Sequence, residues 1–214
     1  MKLQFTIGLL ALMTLAADAF ARPISYPGGW MMMQMNDSNM HSLEIDYSPT
    51  ANYSVGYVAE YWRENDWQLH AVSLNNLIKR WNLPKSQANI YLKSAAGVAY
   101  SDFGEFDGKI EPAAFTGISA DWEDRQFFTM YENHLVYAGD INKSFMQKAR
   151  VGIAPYIGDY GDLHTWLMLQ VEHNPKKADH FTVTPLVRLF KGETLVEAGV
   201  SEDGDVLFNF TMIF

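Results

Sequence analysis

Apolar and polar residues alternate with a period of two along most of this chain. The last nine residues, VLFNFTMIF, set Val206, Phe208, Phe210, Met212 and Phe214 against Leu207, Asn209, Thr211 and Ile213. Strict alternation is the mark of a strand with two unlike faces. Upstream, Tyr53, Val55, Tyr57, Ala59 and Tyr61 oppose Ser54, Gly56, Val58, Glu60 and Trp62. Ala114, Thr116, Ile118, Ala120 and Trp122 oppose Ala113, Phe115, Gly117, Ser119 and Asp121. Leu163, Leu167, Leu169 and Val171 oppose His164, Trp166, Met168, Gln170 and Glu172, and Phe181, Val183, Val187 and Leu189 oppose Thr182, Thr184, Leu186 and Arg188.

Turn residues divide the chain into twelve such segments, near 29–36, 40–48, 53–62, 67–76, 88–100, 113–122, 126–138, 146–157, 163–173, 180–190, 194–201 and 206–214. Ten strands is the alternative count. Pro155 and Pro185 interrupt two segments, where each removes a ladder hydrogen bond. In LNNLIKRWN, Leu74, Leu77, Ile78 and Trp81 stand at helical spacing and predict a short helical turn after the fourth strand. No internal repeat, linker or low-complexity tract divides the chain, which predicts one domain.

Segments of about ten residues with one apolar face are the signature of a transmembrane barrel. A bilayer core offers no water to unpaired backbone groups, so only helices or a closed sheet can cross it. Helical periodicity is nearly absent here. The expected fold class is therefore all-β, a single antiparallel transmembrane β-barrel of twelve strands.

The first residues read differently. Lys2, an apolar run from Leu3 to Ala17 and the small-residue pattern Ala19-Phe20-Ala21 form a secretory signal peptide. Cleavage after Ala21 leaves 214 − 21 = 193 residues, 22–214, for the barrel, and cleavage after Ala19 is the alternative. The segment holds one base (Lys2) and one acid (Asp18), so the net charge stays at −9. That balance excludes a general nucleic-acid binder, which needs a basic face. There is no Cys, hence neither disulfide nor thiolate chemistry.

The C-terminal strand, with its alternating apolar residues and terminal Phe214, resembles that of Gram-negative outer-membrane β-barrel proteins. The resemblance covers a nine-residue motif together with the signal peptide and the strand pattern. It implies an outer-membrane location, lipid and lipopolysaccharide neighbours, and an insertion machinery that reads Phe210, Met212 and Phe214. An even strand count puts both termini in the periplasm, with the longest gap, 101–112, outside the cell. By size and strand count the chain is also similar to the small monomeric oligosaccharide-specific porins.

If the apolar face meets lipid, the other face lines the lumen. Parity and polarity assign Glu44, Glu60, His70, Lys93, Asp121, Glu132, His134, Lys148, Arg150, His164, Glu172, Arg188 and Glu197 to it. Acids dominate the early strands, and Lys148, Arg150 and Arg188 fall on the eighth and tenth. Walls of unlike charge make a transverse field that selects polar solutes. The expected function is a passive channel for small polar or charged solutes. The alternative is a barrel whose charges neutralise one another and plug the lumen, serving envelope integrity or metal handling. A third reading is a lipid-modifying enzyme built on His41-Ser42, His70, His134 or His164, but no local signature of such enzymes is present.

Two further features have plain readings. Asp102, Glu105, Asp107 and Glu111 in the 101–112 gap do not follow Ca²⁺-loop spacing and read as a solvated loop. Trp30, Trp62, Trp67, Trp122, Tyr137 and Tyr156 near segment ends predict aromatic girdles at the two interfaces. WMMMQMNDSNMHS is richer in soft metal ligands. A three-residue turn at Asp37-Ser38-Asn39 would pair Met33 with Leu43 and Met35 with His41. Met31, Met33 and Met35 then join the apolar lipid face, and only Met35 and His41 remain as a weak soft-metal pair. No cofactor motif is present.

Overall fold

The computed structural model describes residues 23–64, 66–159 and 161–214. The expected leader, residues 1–21, lies outside the described residues. The strands are β1 (Trp30–Asn36), β2 (Met40–Thr50), β3 (Tyr53–Trp62), β4 (Trp67–Asn82), β5 (Ser86–Ser101) and β6 (Lys109–Asp124). They continue with β7 (Phe127–Ala138), β8 (Asn142–Ile153), β9 (His164–His173), β10 (Phe181–Lys191), β11 (Thr194–Val200) and β12 (Val206–Ile213). Each pairs antiparallel with its chain neighbours, and β1 pairs with β12, so the sheet closes as a barrel. Closure leaves no sheet edge, as a hydrocarbon surrounding requires.

The outer wall is apolar. Val72, Val98, Ile118, Leu135, Val151 and Leu167 are all exposed, although each lies within a strand. A contiguous wall of this kind is unstable against water and matches lipid chains. No helix among the described residues is long and apolar enough to cross a membrane.

The strand bounds differ from the sequence reading in instructive places. The stretch 74–82 is not a helical turn. It extends β4 to Asn82, with a bulge between Leu77 and Lys79 that pairs onward to Gln87. Both strands of the next hairpin also run further, and β6 begins at Lys109. Pro155 falls beyond the end of β8 at Ile153, whereas Pro185 stays within β10 opposite Leu169. Neighbouring strands approach closely at Gly97, where an added Cβ would run into the His70 carbonyl oxygen.

The hairpin of β1 and β2 is shifted by one residue from the expected register. Asn36 pairs with His41, Met33 with Glu44 and Met31 with Asp46. The cause is the Asp37 carboxylate, whose Oδ1 accepts from the backbone N–H of Asn39 (2.8 Å) and of Met40 (3.0 Å). This side-chain cap closes a tight turn at Ser38 and Asn39, across which the Asp37 N–H donates to the Met40 carbonyl at 3.0 Å. A one-residue shift exchanges faces. Met31 and Met33 are therefore buried inside the barrel, and Met32 is turned outward.

Candidate functional site

The interior divides into a mainly apolar half and a half whose polar network adjoins a second apolar cluster of Phe128, Trp166, Met168, Leu186 and Leu207. Trp62, Trp67, Leu69, Ala71, Phe115 and Val136 belong to one buried cluster inside the barrel. Trp62 and Trp67 stack with ring centroids 5.0 Å apart. They are core residues and not part of an interfacial girdle, because their parity points them inward. Trp30, Trp122, Tyr137 and Tyr156 are exposed.

The polar half begins with an acidic wall on β2. Glu44 and Asp46 are buried, and the Asn75 side-chain amide donates to both, at 2.9 Å and 3.2 Å. Ser73 Oγ donates to Asp46 at 3.0 Å. Diametrically across the ring, six strands away, stands β8 with Lys148 and Arg150. Arg150 Nη1 donates to Glu197 at 2.7 Å, and Arg188 Nε donates to the same oxygen at 2.6 Å. Asn209 takes the second Glu197 oxygen at 2.7 Å. Arg150 also donates to Gln170, Gln170 to Glu172, Asn39 to Glu172 and Asn174 to Asn39. One hydrogen-bonded chain thus runs from β12 to the turn after β1. The one carboxylate accepts from both buried guanidiniums, so the three groups are compensated only as a set.

Between these walls lies a smaller ion cluster. Glu132 Oε1 is 3.6 Å from Lys93 Nζ and 4.0 Å from Lys148 Nζ. Two cavities of the interior border this cluster. The first, about 110 Å³, is lined by Met33, Asp121, Glu123, Arg188, Glu197 and Thr211 among others, and reaches Pro23 near the chain termini. The second, about 40 Å³, is lined by Asp37, Asn39, Met40, His134, Glu172 and Asn174 toward the opposite rim. Glu132 and Lys148 line both.

All of the charged and His residues assigned to the lumen from sequence face inward except His70. On β4 the inward residues are Trp67, Leu69, Ala71, Ser73 and Asn75, so parity puts His70 outside. There it meets the Tyr57 hydroxyl at 2.6 Å. Met35 lines the first cavity, whereas His41 is exposed on the outer wall. The two lie on opposite faces and cannot share a metal ion. Ser42 is buried and faces inward, away from His41, so these neighbours form no dyad either. His134 Nε2 stands 3.4 Å from Oε1 of Glu60, whose Oε2 accepts from Trp62 Nε1 at 2.9 Å. His164 lies inward at the first residue of β9.

Three contributions were not read from the sequence. Arg80 donates to Asn89 (2.7 Å), which donates to Asp121 (2.8 Å); the β4 bulge alters the parity that would have placed Arg80. Asn39 and Asn174 sit in turns and carry no strand signal. The segment before β1 tucks into the barrel mouth, where Ser54 Oγ donates to the Pro23 carbonyl at 2.7 Å and Ile24 is buried.

No family model matches the chain, and no curated protein matches it. Among solved structures the chain is similar to a KdgM porin, with a TM-score of 0.50 at 7% identity over 87% of this chain and 98% of that one. The likeness is one of fold. It is also similar to the translocator domain of the autotransporter NalP from Neisseria meningitidis, with a TM-score of 0.45 at 8% identity over 86% of each chain.

Proposed function

We propose that this protein is a passive outer-membrane channel for small polar or charged solutes, narrowest at Lys93, Glu132 and Lys148. The observation that carries this reading is the pair of internal cavities that share Glu132 and Lys148 as lining. A solute passing between them crosses a level with a cation on two sides and a carboxylate between. Fixed charges of both signs replace part of an ion's hydration there, while the apolar half of the interior keeps the path narrow. The KdgM porin shares the closed-barrel fold, which supports a porin-like use of the interior.

The same reading holds that residues 1–21 are a cleaved leader. Phe210, Met212 and Phe214 would serve as the insertion signal. Their support is that all three face outward from β12, with Met212 and Phe214 exposed. Lipids and lipopolysaccharide would surround the outer wall. Swelling of protein-loaded liposomes in small charged solutes and small sugars tests the channel. Swelling faster than in protein-free liposomes is expected, and no difference would remove it.

A second reading has its own observation. The stacked Trp62 and Trp67, with the buried Arg150–Glu197–Arg188 set, fill much of the interior and suit a closed barrel with a structural role. Intact barrels that swell no liposomes would favour it.

A further inference from the structure

We propose that residues 23–28 form a strap that seats in the barrel mouth at the chain-terminal rim and leaves it, giving the channel two conductance levels. The inference rests on the channel reading above. The strap is built by a turn. Tyr26-Pro27-Gly28-Gly29 reverses the chain just before β1, and the Gly29 N–H donates to the Tyr26 carbonyl at 3.0 Å. Gly28 has a φ of 85°. Proline in second place and glycine at positive φ in third are the marks of a type II turn. An added Cβ at Gly29 would run into Ser25 Oγ and the Tyr26 ring, so the strap lies close against that residue. Tyr26, Pro27 and Gly28 are exposed, whereas Ile24 is buried. A chain running straight out of β1 would leave through the rim, but this turn sends residues 23–25 back inside.

Inside, the strap stands in front of β2 and β3. The Ser25 N–H donates to Ser48 Oγ at 3.0 Å, and the two hydroxyl oxygens are 3.2 Å apart. Ser54 Oγ donates to the Pro23 carbonyl at 2.7 Å and accepts from Asn75 Nδ2 at 3.2 Å. Ser48 and Ser54 are fully buried. Pro23 thereby becomes part of the wall of the first cavity, beside Tyr91, Glu123, Leu195 and Thr211. A path from that cavity to this rim passes the strap.

The hold is light. Neighbouring strands are joined by ladders of backbone bonds. Among the described residues, 23–25 make no backbone-to-backbone bond, and their bonds to the wall go through the hydroxyls of Ser48 and Ser54. Segments held by so few bonds open at low cost compared with the sheet. Water can replace the strap on both hydroxyls when it leaves, so the open state strands no polar group. The buried Ile24 side chain is what draws the strap back.

The test is single-channel recording in planar bilayers of wild type and two variants, each shown to be folded by heat-modifiable gel mobility. Wild type should step between a low and a high level. Gly28→Val puts a branched side chain where φ is positive, dismantles the turn, and should hold the channel at the high level. Ser25→Cys with Ser48→Cys tests the strap with the turn intact. The oxygens replaced are already 3.2 Å apart, sulfurs need to close to about 2.0 Å, and the chain has no other Cys. After oxidation with diamide, confirmed by loss of maleimide labelling, this variant should stay at the low level. Reduction with dithiothreitol should restore the steps. An oxidised variant that still steps as wild type does would overturn the strap. So would one and the same level in wild type, Gly28→Val and the oxidised variant, an outcome that leaves the channel standing. No current from any of them, Gly28→Val included, would remove the channel reading and the strap's role with it.

Discussion

Lys148 Nζ stands 4.0 Å from Glu132 Oε1, and both residues line the two interior cavities. Lys93 completes the cluster from β5 at 3.6 Å. If ions cross here, this cluster sets their sign. Glu132→Gln leaves two cations facing the path and should move the zero-current potential under a KCl gradient toward anion selectivity. Lys93→Met with Lys148→Met should move it the opposite way. Each shift should shrink as salt rises, because screening shortens the reach of the fixed charge.

Glu197 is the shared partner of Arg150 and Arg188, and all three are buried. Removing it strands two guanidiniums in the interior. Glu197→Ala should therefore destabilise the barrel by about 3–5 kcal/mol. Urea-dependent folding into vesicles, followed by tryptophan fluorescence, checks this. Substituting Arg150 as well should recover part of the loss, since only one cation is then left unpaired.

The face assignment of β4 has a direct test. Val72 is 65% exposed on the outer wall, so Val72→Arg should cost up to about 2–4 kcal/mol if it lies near the bilayer midplane. His70→Leu should fold at least as well as wild type, because the imidazole faces the same wall. A strong loss from His70→Leu alongside a neutral Val72→Arg would mean that the strand is turned over. The same folding titration reads both variants.

Outside the barrel wall, Lys109 donates to Asp140 at 2.7 Å, and this bond holds the Asp140 carboxyl below its ordinary value. The group is fully exposed, so its weight in stability is small. The sign is still definite: the contribution is present above the unfolded pKa and fades as pH falls through the folded one. An NMR titration of Asp140 should show a depressed midpoint, and Lys109→Met should raise it toward the ordinary carboxylate range.

Much of the barrel was legible in the sequence because lipid and interior demand opposite chemistry at alternate positions. β3, β9, β10 and β12 carry that contrast on nearly every residue, and their faces stand as the alternation placed them. The contrast fails where both faces are apolar or both polar. On β4, Leu69 and Ala71 pack against an apolar interior, so polarity pointed to His70 as a lumen residue while parity put it outside. Trp62 and Trp67 misled in the same way, since a strand-end aromatic reads as a girdle residue until its partner ring is known. The methionine hairpin failed for a different reason. Its register depends on one side chain, Asp37, capping two backbone N–H groups, and hydrophobic pattern carries no trace of that. Arg80 was hidden by a bulge, which alters parity without a residue that announces it.

The central claim is that the interior conducts. Single-channel recording of the purified, refolded protein in a planar lipid bilayer tests it most directly. Discrete conductance steps are predicted, smaller than those of a wide water-filled pore, with a zero-current potential that responds to Glu132→Gln. A folded, inserted barrel that gives no current above the bare bilayer would contradict it.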